Sequence, residues 1–212
     1  MNDQLIHGDC IEALRKLPNE SVDLICTDPP YGDNAGYGRS NRKILGNEHP
    51  LLGLMALAEA YRVLRKDRCC FCFLEAKHLA LIDIFIRRYT NYRVKEYVVW
   101  DKQHIGMGHG FRKRHEMILV LDKGRATFNS AAMPNVLACT RVSTTHHPHT
   151  KPVALLETLI AHVTRPGDVV LDPFMGSGST AVAAKKLSRA FIGIEYEERY
   201  IKVAHERLQV EL

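Results

Sequence analysis

The sequence predicts an α/β fold, in which one mostly parallel sheet of the Rossmann-like type carries helices on both faces. Short apolar runs rich in β-branched and aromatic residues alternate along the chain with longer segments of helical spacing. Such alternation is typical of parallel sheets, whose ligands bind at the carboxyl ends of the strands. The length of 212 residues suits one domain, 1–212, with one core.

The apolar runs and helical segments locate the individual elements. Strands are predicted over 22–27, 69–74, 94–100, 117–121, 169–171 and 191–194. Helices are predicted over 51–64, 78–89, 153–163, 180–187 and 198–208, with a further helix that starts near Cys10. Two polar stretches, 32–50 and 122–148, break the pattern and are predicted as long loops that face the substrate.

The composition is that of an ordinary globular protein, with 46% hydrophobic and 25% charged residues. No apolar run approaches the ~20 residues that cross a bilayer, so no membrane role is predicted. The first residues lack the basic-then-apolar order of a secretory signal. We therefore expect a cytoplasmic protein.

The cysteines are predicted to be buried thiols. There are six, and Cys69, Cys70 and Cys72 fall within one predicted strand. Paired CxxC spacing is absent from the sequence, so we expect no metal site. The net charge of +5 is compatible with a polyanionic partner but is common among other proteins as well.

A glycine-containing turn follows the strand that ends at Asp172. It comprises Pro173, Phe174, Met175, Gly176, Ser177 and Gly178, and a helix comes directly after it. Glycines allow close backbone approach, and a helix start offers free N–H groups, so a nucleotide-like ligand is predicted there. Because Ala181 occupies the place of a third glycine, the GxGxxG dinucleotide pattern is not met, which indicates a different adenosine cofactor.

An acid follows the next strand. Glu195 lies about 20 residues beyond the glycine turn, the position from which a carboxylate accepts hydrogen bonds from ribose hydroxyls. Asp9 precedes the first helix and is also predicted as its N-cap.

These segments resemble one enzyme family. LDPFMGSGST and FIGIE near the C-terminus, with HGDCIEALRKLP and VDLICTDPPYG near the N-terminus, are similar to amino-group DNA methyltransferases. The resemblance implies that the cofactor is S-adenosylmethionine. It also implies that Asp172 approaches the methionine amino group, Glu195 the ribose, and Asp9 the adenine amino group, while Cys10 and Ile11 line the adenine pocket.

A shorter match places two more residues near the cofactor. HPHTKP at 147–152 is similar to a family segment usually written HPTQKP, which the resemblance assigns to the methionine end. Lys151 and Pro152 carry the match. His149 and Thr150 depart from the usual Thr and Gln, although Thr150 keeps a hydroxyl.

The catalytic centre is predicted at Asp28, Pro29, Pro30 and Tyr31, which follow the strand 22–27. An exocyclic amino nitrogen is a poor nucleophile because its lone pair is delocalised into the ring. Acceptors such as the Asp28 carboxylate and the Pro29 carbonyl would hold its hydrogens out of plane, and Tyr31 offers a face for an extruded base. Asp in the first position resembles adenine N6 enzymes, whereas cytosine N4 enzymes more often have Ser.

The order of the motifs narrows the substrate. Here the Asp-Pro-Pro-Tyr segment precedes the glycine turn, as in the β group of the family and unlike enzymes that modify glutamine in proteins. The sequence thus predicts N6-adenine methylation of DNA. Cytosine N4 methylation, an RNA amino-methyltransferase and a non-catalytic cofactor-binding subunit remain alternatives.

Two basic clusters are predicted to contact DNA phosphates. They are Arg39, Arg42 and Lys43, and Arg112, Lys113 and Arg114. The resemblance places target recognition in the segment 122–148, which is short, so we expect a short target or recognition shared across a homodimer. A partner endonuclease and the biological role stay open.

Overall fold

In the part of the chain that the structure describes, eight strands form one mixed sheet in the order β1-β8-β7-β2-β3-β5-β4-β6. The computed structural model describes residues 3–30, 51–130, 132–142 and 150–211. The strands are β1 (Gln4–His7), β2 (Val22–Thr27), β3 (Leu64–Leu74), β4 (Arg93–Asp101), β5 (His115–Lys123), β6 (Val136–Ala138), β7 (Val169–Asp172) and β8 (Ala190–Glu195). The helices are α1 (Cys10–Lys16), α2 (Leu51–Val63), α3 (Leu79–Tyr89), α4 (Val153–Val163), α5 (Ser179–Lys186) and α6 (Glu198–Val210), and a 3₁₀ turn spans Ala76–His78.

The strand directions bring most ligand-binding ends to one edge of the sheet. β1, β8, β7, β2 and β3 are parallel neighbours, while β5 runs antiparallel to both β3 and β4, and β6 is parallel to β4. Every strand except β5 therefore ends at the same edge, called the carboxyl edge below. The predicted Rossmann-like α/β fold is confirmed.

Helices cover both faces of the sheet, which explains why apolar residues occupy both faces of β3 over 69–74. Along β3, Cys70, Cys72 and Leu74 pack under α1, α2 and α3, whereas Cys69, Phe71 and Phe73 pack under α4, α5 and α6. Successive strand residues point to opposite faces, and both faces here are covered. The cysteine-rich run is accordingly buried, as predicted, and this burial raises the pKa of Cys69 to about 12.

Two strands were not predicted. β1 has only four residues, two of them apolar, and it pairs with β8 at one margin of the sheet. β6 has three residues and lies inside the segment 122–148, where a loop was expected. That expectation was wrong at β6, and also at Asp122 and Lys123, which belong to β5. Strands this short carry no measurable periodicity in the sequence. They are recognised only by their backbone pairing, β1 with β8 and β6 with β4.

Neither a bilayer span nor a metal cluster is found in the described ranges. No helix there is long and apolar enough to cross a membrane. Within the same ranges, no three His, Cys, Asp or Glu side chains come together in a way that could hold a metal ion.

Candidate active site

The start of α1 lies beside the end of β8. The Gly8 amide donates to the Glu195 carbonyl at 3.0 Å, which joins the two strand ends. Asp9 caps α1, because its Oδ1 accepts from the Glu12 amide at 2.9 Å. Cys10 is buried in the core and Ile11 is half-buried. The predicted N-cap is thus confirmed, and Asp9 and Glu195 come from opposite ends of the chain to one place on the carboxyl edge.

The glycine turn, 173–178, packs so closely against its neighbours that position 178 has no room for a side chain. Gly178 has φ +83°, and a Cβ there would lie 2.8 Å from the Cβ of Ala204 on α6. The Met175 amide donates to the Ile194 carbonyl at 2.9 Å, which places the turn on β8. The turn therefore presents backbone rather than side chains at the start of α5.

Glu195 is bound to the glycine turn. Its Oε2 accepts from the Gly176 amide at 2.9 Å and its Oε1 from the Glu197 amide at 2.7 Å. Burial raises the pKa of Glu195, and the backbone N–H donors oppose that rise. Each carboxylate oxygen has a second lone pair with which it can accept a hydrogen bond from a ligand hydroxyl.

Asp172 is a buried carboxylate at the end of β7. Its Oδ2 accepts from Thr180 Oγ1 at 2.6 Å and its Oδ1 from the Phe174 amide at 3.1 Å. Burial raises the pKa of Asp172 to about 6, although these hydrogen bonds partly oppose the rise. A cationic ligand group next to Asp172 would offset the cost of the buried charge.

Asp172→Asn is expected to stabilise the free protein at pH 8, by up to about 3 kcal/mol. Because folding raises the pKa of this carboxyl, its contribution to stability is favourable at acid pH and is lost as the pH rises through about 6. The gain of the variant should therefore shrink as the pH is lowered to 5. Urea unfolding of both proteins at the two pH values measures it, and an equal gain at both would contradict the account.

Arg207 supports the glycine turn from behind. This α6 arginine is buried, and its Nη1 donates to the Ser177 carbonyl at 2.9 Å, to Ser177 Oγ at 3.2 Å and to Ser179 Oγ at 3.0 Å. Its Nε donates to Glu211 at 2.6 Å. The sequence prediction missed this residue. The available signal was its spacing: Tyr200, Ala204 and Arg207 share the buried stripe of α6.

Arg207→Met is expected to weaken binding of an adenosine cofactor about tenfold and to lower stability by about 2 kcal/mol, because buried acceptors in the turn lose their donor. Lys202→Met is the matched control, since Lys202 lies on the same helix in an exposed i,i+4 pair with Glu198. Titration calorimetry and thermal unfolding measure the two effects. Cofactor affinity equal to that of wild type would show that the turn holds its shape without Arg207.

Asp28 lies at the end of β2, on a turn fixed by packing. A Cβ at Gly53 of α2 would lie 2.7 Å from the Pro29 Cβ, so α2 sits directly on the proline ring. Pro29 is buried, whereas Asp28 and Pro30 are half-buried. The turn thereby holds the Asp28 carboxylate and the Pro29 carbonyl at the carboxyl edge. Tyr31 lies outside the described residues.

A chain of alternating charges connects Asp28 to the end of β4. Asp28 forms an ion pair with Lys151, Lys151 lies 3.4 Å from Glu116 on β5, and Glu116 pairs with Lys102. Burial alone would lower the pKa of Lys151, but the Asp28 and Glu116 carboxylates raise it, so the buried lysine stays charged. Burial opposes but does not overcome the effect of Lys151 and Lys102, which lower the pKa of Glu116.

The segment that carries Lys151 also touches the glycine turn. Thr150 Oγ1 lies 3.3 Å from Ser177 Oγ, and Pro152 is the buried N-cap residue of α4. Lys151 was predicted to bind the cofactor, and that role stays a prediction. Its pairing with Asp28, and the part played by Glu116 and Lys102, could not be read from the sequence because the three segments meet only in the folded sheet.

The predicted DNA-contacting residues fall in two groups. Arg39, Arg42 and Lys43, with the loop 32–50, lie outside the described residues. The second group is exposed but makes internal contacts: Arg112 Nε donates to the Gly106 carbonyl at 2.6 Å, Lys113 pairs with Glu75 at 2.7 Å, and Arg114 pairs with Asp101 at 2.7 Å. These pairs are surface contacts, which solvent and a competing phosphate weaken easily.

The glycine turn and the carboxylates of Asp28, Asp172 and Glu195 lie at the carboxyl edge, where α/β folds of this class bind nucleotide-like cofactors. The DNA methylase family model matches residues 22–137 and 129–206. The chain therefore belongs to the DNA methylase family, and the resemblance found in the sequence is confirmed.

Relatives match nearly the whole chain. It is 36% identical over 208 residues to the putative methylase YubD of Escherichia coli (strain K12), with 97% of this chain and 89% of that protein covered. It is 31% identical over 246 residues to the DNA adenine methyltransferase YhdJ of the same strain, with 97% and 82% covered. The solved M1.HpyAVI–SAM complex superposes with a TM-score of 0.78 at 28% identity, covering 98% of this chain and 99% of that one.

Proposed function

We propose that this protein transfers a methyl group from S-adenosylmethionine to N6 of an adenine that has been turned out of a DNA helix. The observation that carries the proposal is the Asp28 carboxylate, which is held on a rigid Pro-Pro turn at the carboxyl edge. Through Lys151 and Thr150 it is connected to the glycine turn, so an acceptor group and a cofactor cradle adjoin.

The residues of the cradle fit S-adenosylmethionine. Glu195 offers two carboxylate oxygens for the ribose hydroxyls, and Asp9 would accept from the adenine amino group, beside Cys10 and Ile11. Asp172 is a buried carboxylate whose raised pKa indicates an unbalanced charge, which the amino group of a methionine moiety would balance. When bound, the cofactor supplies a methyl group on a positively charged sulfur, which is already an activated leaving group.

The chain's own residues do the positioning. Asp28 and the Pro29 carbonyl accept hydrogen bonds from the two N–H groups of the adenine amino group. This holds the two hydrogens out of the ring plane, so that the nitrogen lone pair is no longer delocalised into the ring. Prior deprotonation is unnecessary, because in-line placement supplies much of the rate enhancement. The proton that the nitrogen loses after it has bonded to the methyl carbon passes to an Asp28 oxygen. Lys151 keeps that carboxylate in place, and Tyr31 would stack on the base.

Adenine is the preferred base because Asp stands first in the Asp-Pro-Pro-Tyr segment, and because a full-length relative is a DNA adenine methyltransferase. We further propose that Arg39, Arg42, Lys43, Arg112, Lys113 and Arg114 contact phosphates. The short recognition segment 122–148 favours action as a homodimer. The cytoplasmic location expected from the sequence stays a prediction.

The test is incubation of the protein with methyl-labelled S-adenosylmethionine and mixed-sequence DNA, single-stranded and duplex, followed by sequencing of modified bases. N6-methyladenine in a fixed sequence context supports the proposal and also reveals the target. Label on cytosine N4 would show that cytosine is the methylated base, and label only in an RNA competitor would show that RNA is the substrate. Cofactor binding without label in any nucleic acid would indicate a non-catalytic subunit.

A further inference from the structure

A basic hairpin, residues 102–114, rises from the carboxyl edge between β4 and β5. Its backbone is braced, since the Lys102 amide donates to the Arg114 carbonyl at 3.0 Å and the Gly106 amide to the Lys113 carbonyl at 2.8 Å. At the tip, Gly108 and Gly110 both have positive φ, which glycine adopts without strain. The hairpin is thus an ordered projection.

The side chains of this hairpin combine positive charge with exposed apolar groups. Between positions 102 and 114 the sequence has four Lys or Arg, two His and no acid. Met107 and Phe111 are fully exposed, and Ile105 is about half exposed. Three exposed large apolar side chains on one short segment indicate a binding surface, and a segment without acidic residues complements a polyanion.

The basic hairpin is physically connected to the catalytic turn. Its first residue, Lys102, pairs with Glu116, which approaches Lys151, which pairs with Asp28. On the other side, Lys113 pairs with Glu75, directly after β3. A DNA strand that delivers an adenine to Asp28 therefore passes close to Lys102 and Arg114, where the hairpin leaves the sheet.

We propose that Met107 and Phe111 enter the duplex beside the target adenine and fill the space that the base leaves when it turns out. Arg112 and Lys113 then release their internal partners and hold the flanking phosphates. Apolar side chains gain nothing from phosphates, but they do gain from insertion between unstacked bases, which is how several DNA-bending proteins use them. This inference rests on the proposed function and adds a device for extruding the base.

The experiment compares two duplexes that contain the target sequence found by sequencing. In one the target adenine is normally paired, and in the other it faces a mismatched base, so that less energy is needed to extrude it. For Met107→Ala, Phe111→Ala and the double variant, we expect kcat/KM on the paired duplex to fall about 10- to 100-fold, because an apolar wedge no longer offsets the unstacking of the base. On the mismatched duplex the rates should approach that of wild type. Phe111→Leu, which restores an apolar side chain, should recover part of the loss.

The matched control is Tyr89→Ala. Tyr89 is an exposed aromatic residue at the end of α3, one turn before β4 begins, and so lies at the edge of the sheet opposite the hairpin. It should leave both rates unchanged. Cofactor affinity of the hairpin variants should equal that of wild type, because the altered side chains lie in water.

A direct readout replaces the target adenine by 2-aminopurine, whose fluorescence rises when it leaves the stack. Wild type should raise the signal and the double variant should not. Equal loss on both duplexes would overturn the wedge in favour of a simple binding contact, and no loss on either would overturn any role. Failure of the wild-type protein to label any DNA in the preceding sequencing experiment would instead refute the proposed function, since no target sequence would then be found.

Discussion

Asp28→Ala is expected to reduce the rate of methyl transfer by about 10²- to 10³-fold, the usual effect of removing one preorganised hydrogen-bonding group from an active site. Affinity for S-adenosylmethionine should stay within about threefold of wild type, because the proposed cofactor residues lie at the ends of β1, β7 and β8 rather than on β2. The acceptor nitrogen would keep only the Pro29 carbonyl to orient it.

Single-turnover methylation at saturating cofactor isolates this effect from cofactor binding. Asp28→Asn retains one carbonyl oxygen and should lie between wild type and the alanine variant. Asp83→Ala is the control, since it removes a carboxylate that pairs with Arg87 on α3, away from the site. Unchanged rates for Asp28→Ala would remove Asp28 from the mechanism, and loss of cofactor binding would move its role into the cofactor site.

Glu195→Ala is expected to weaken S-adenosylmethionine binding by about 10²-fold or more. The variant loses the acceptors for the ribose hydroxyls and also leaves the Gly176 and Glu197 amides without their partner. An unsatisfied polar group in a partly buried site costs about 1–3 kcal/mol, and 10²-fold in affinity corresponds to about 2.8 kcal/mol.

Titration calorimetry of the Glu195 variants measures this loss. Glu195→Gln keeps one carbonyl oxygen and should show an intermediate affinity. Glu198→Gln is the matched control, because Glu198 is an exposed carboxylate that pairs with Lys202 on the same helix. At saturating cofactor, the rate of methyl transfer by Glu195→Gln should approach that of wild type. A Glu195→Ala protein that binds the cofactor normally would exclude ribose recognition by Glu195.

The sequence predicted the elements whose local pattern is strong. α4 was predicted over its observed range, Val153–Val163, because it combines helical apolar spacing with a proline at its start. β2, buried at every position, was also predicted at its observed bounds. β6 was missed because three residues have no pattern of their own, and the strand exists only through its pairing with β4.

The site was predicted to the extent that it follows from strand ends. Parallel strands put Asp28, Asp172 and Glu195 at one edge whatever the details of packing, so their placement needed only topology. The pairing of Lys151 with Asp28 spans 123 residues of sequence, and the contact of Arg207 with Ser177 spans 30. Contacts of this kind depend on how helices pack on the sheet, which no local pattern records.

The buried cysteines make local unfolding of this protein measurable by their rates of alkylation. The thiolate is the form of cysteine that attacks alkylating reagents, and burial raises the pKa of both Cys10 and Cys69 to about 12. Labelling of a given cysteine then has to wait until its element opens. Half-buried Cys139 should react first, β2 and β3 cysteines only on global unfolding, and Cys10 at a rate that bound cofactor slows. Timed alkylation read by mass spectrometry would map local stability strand by strand without any introduced label.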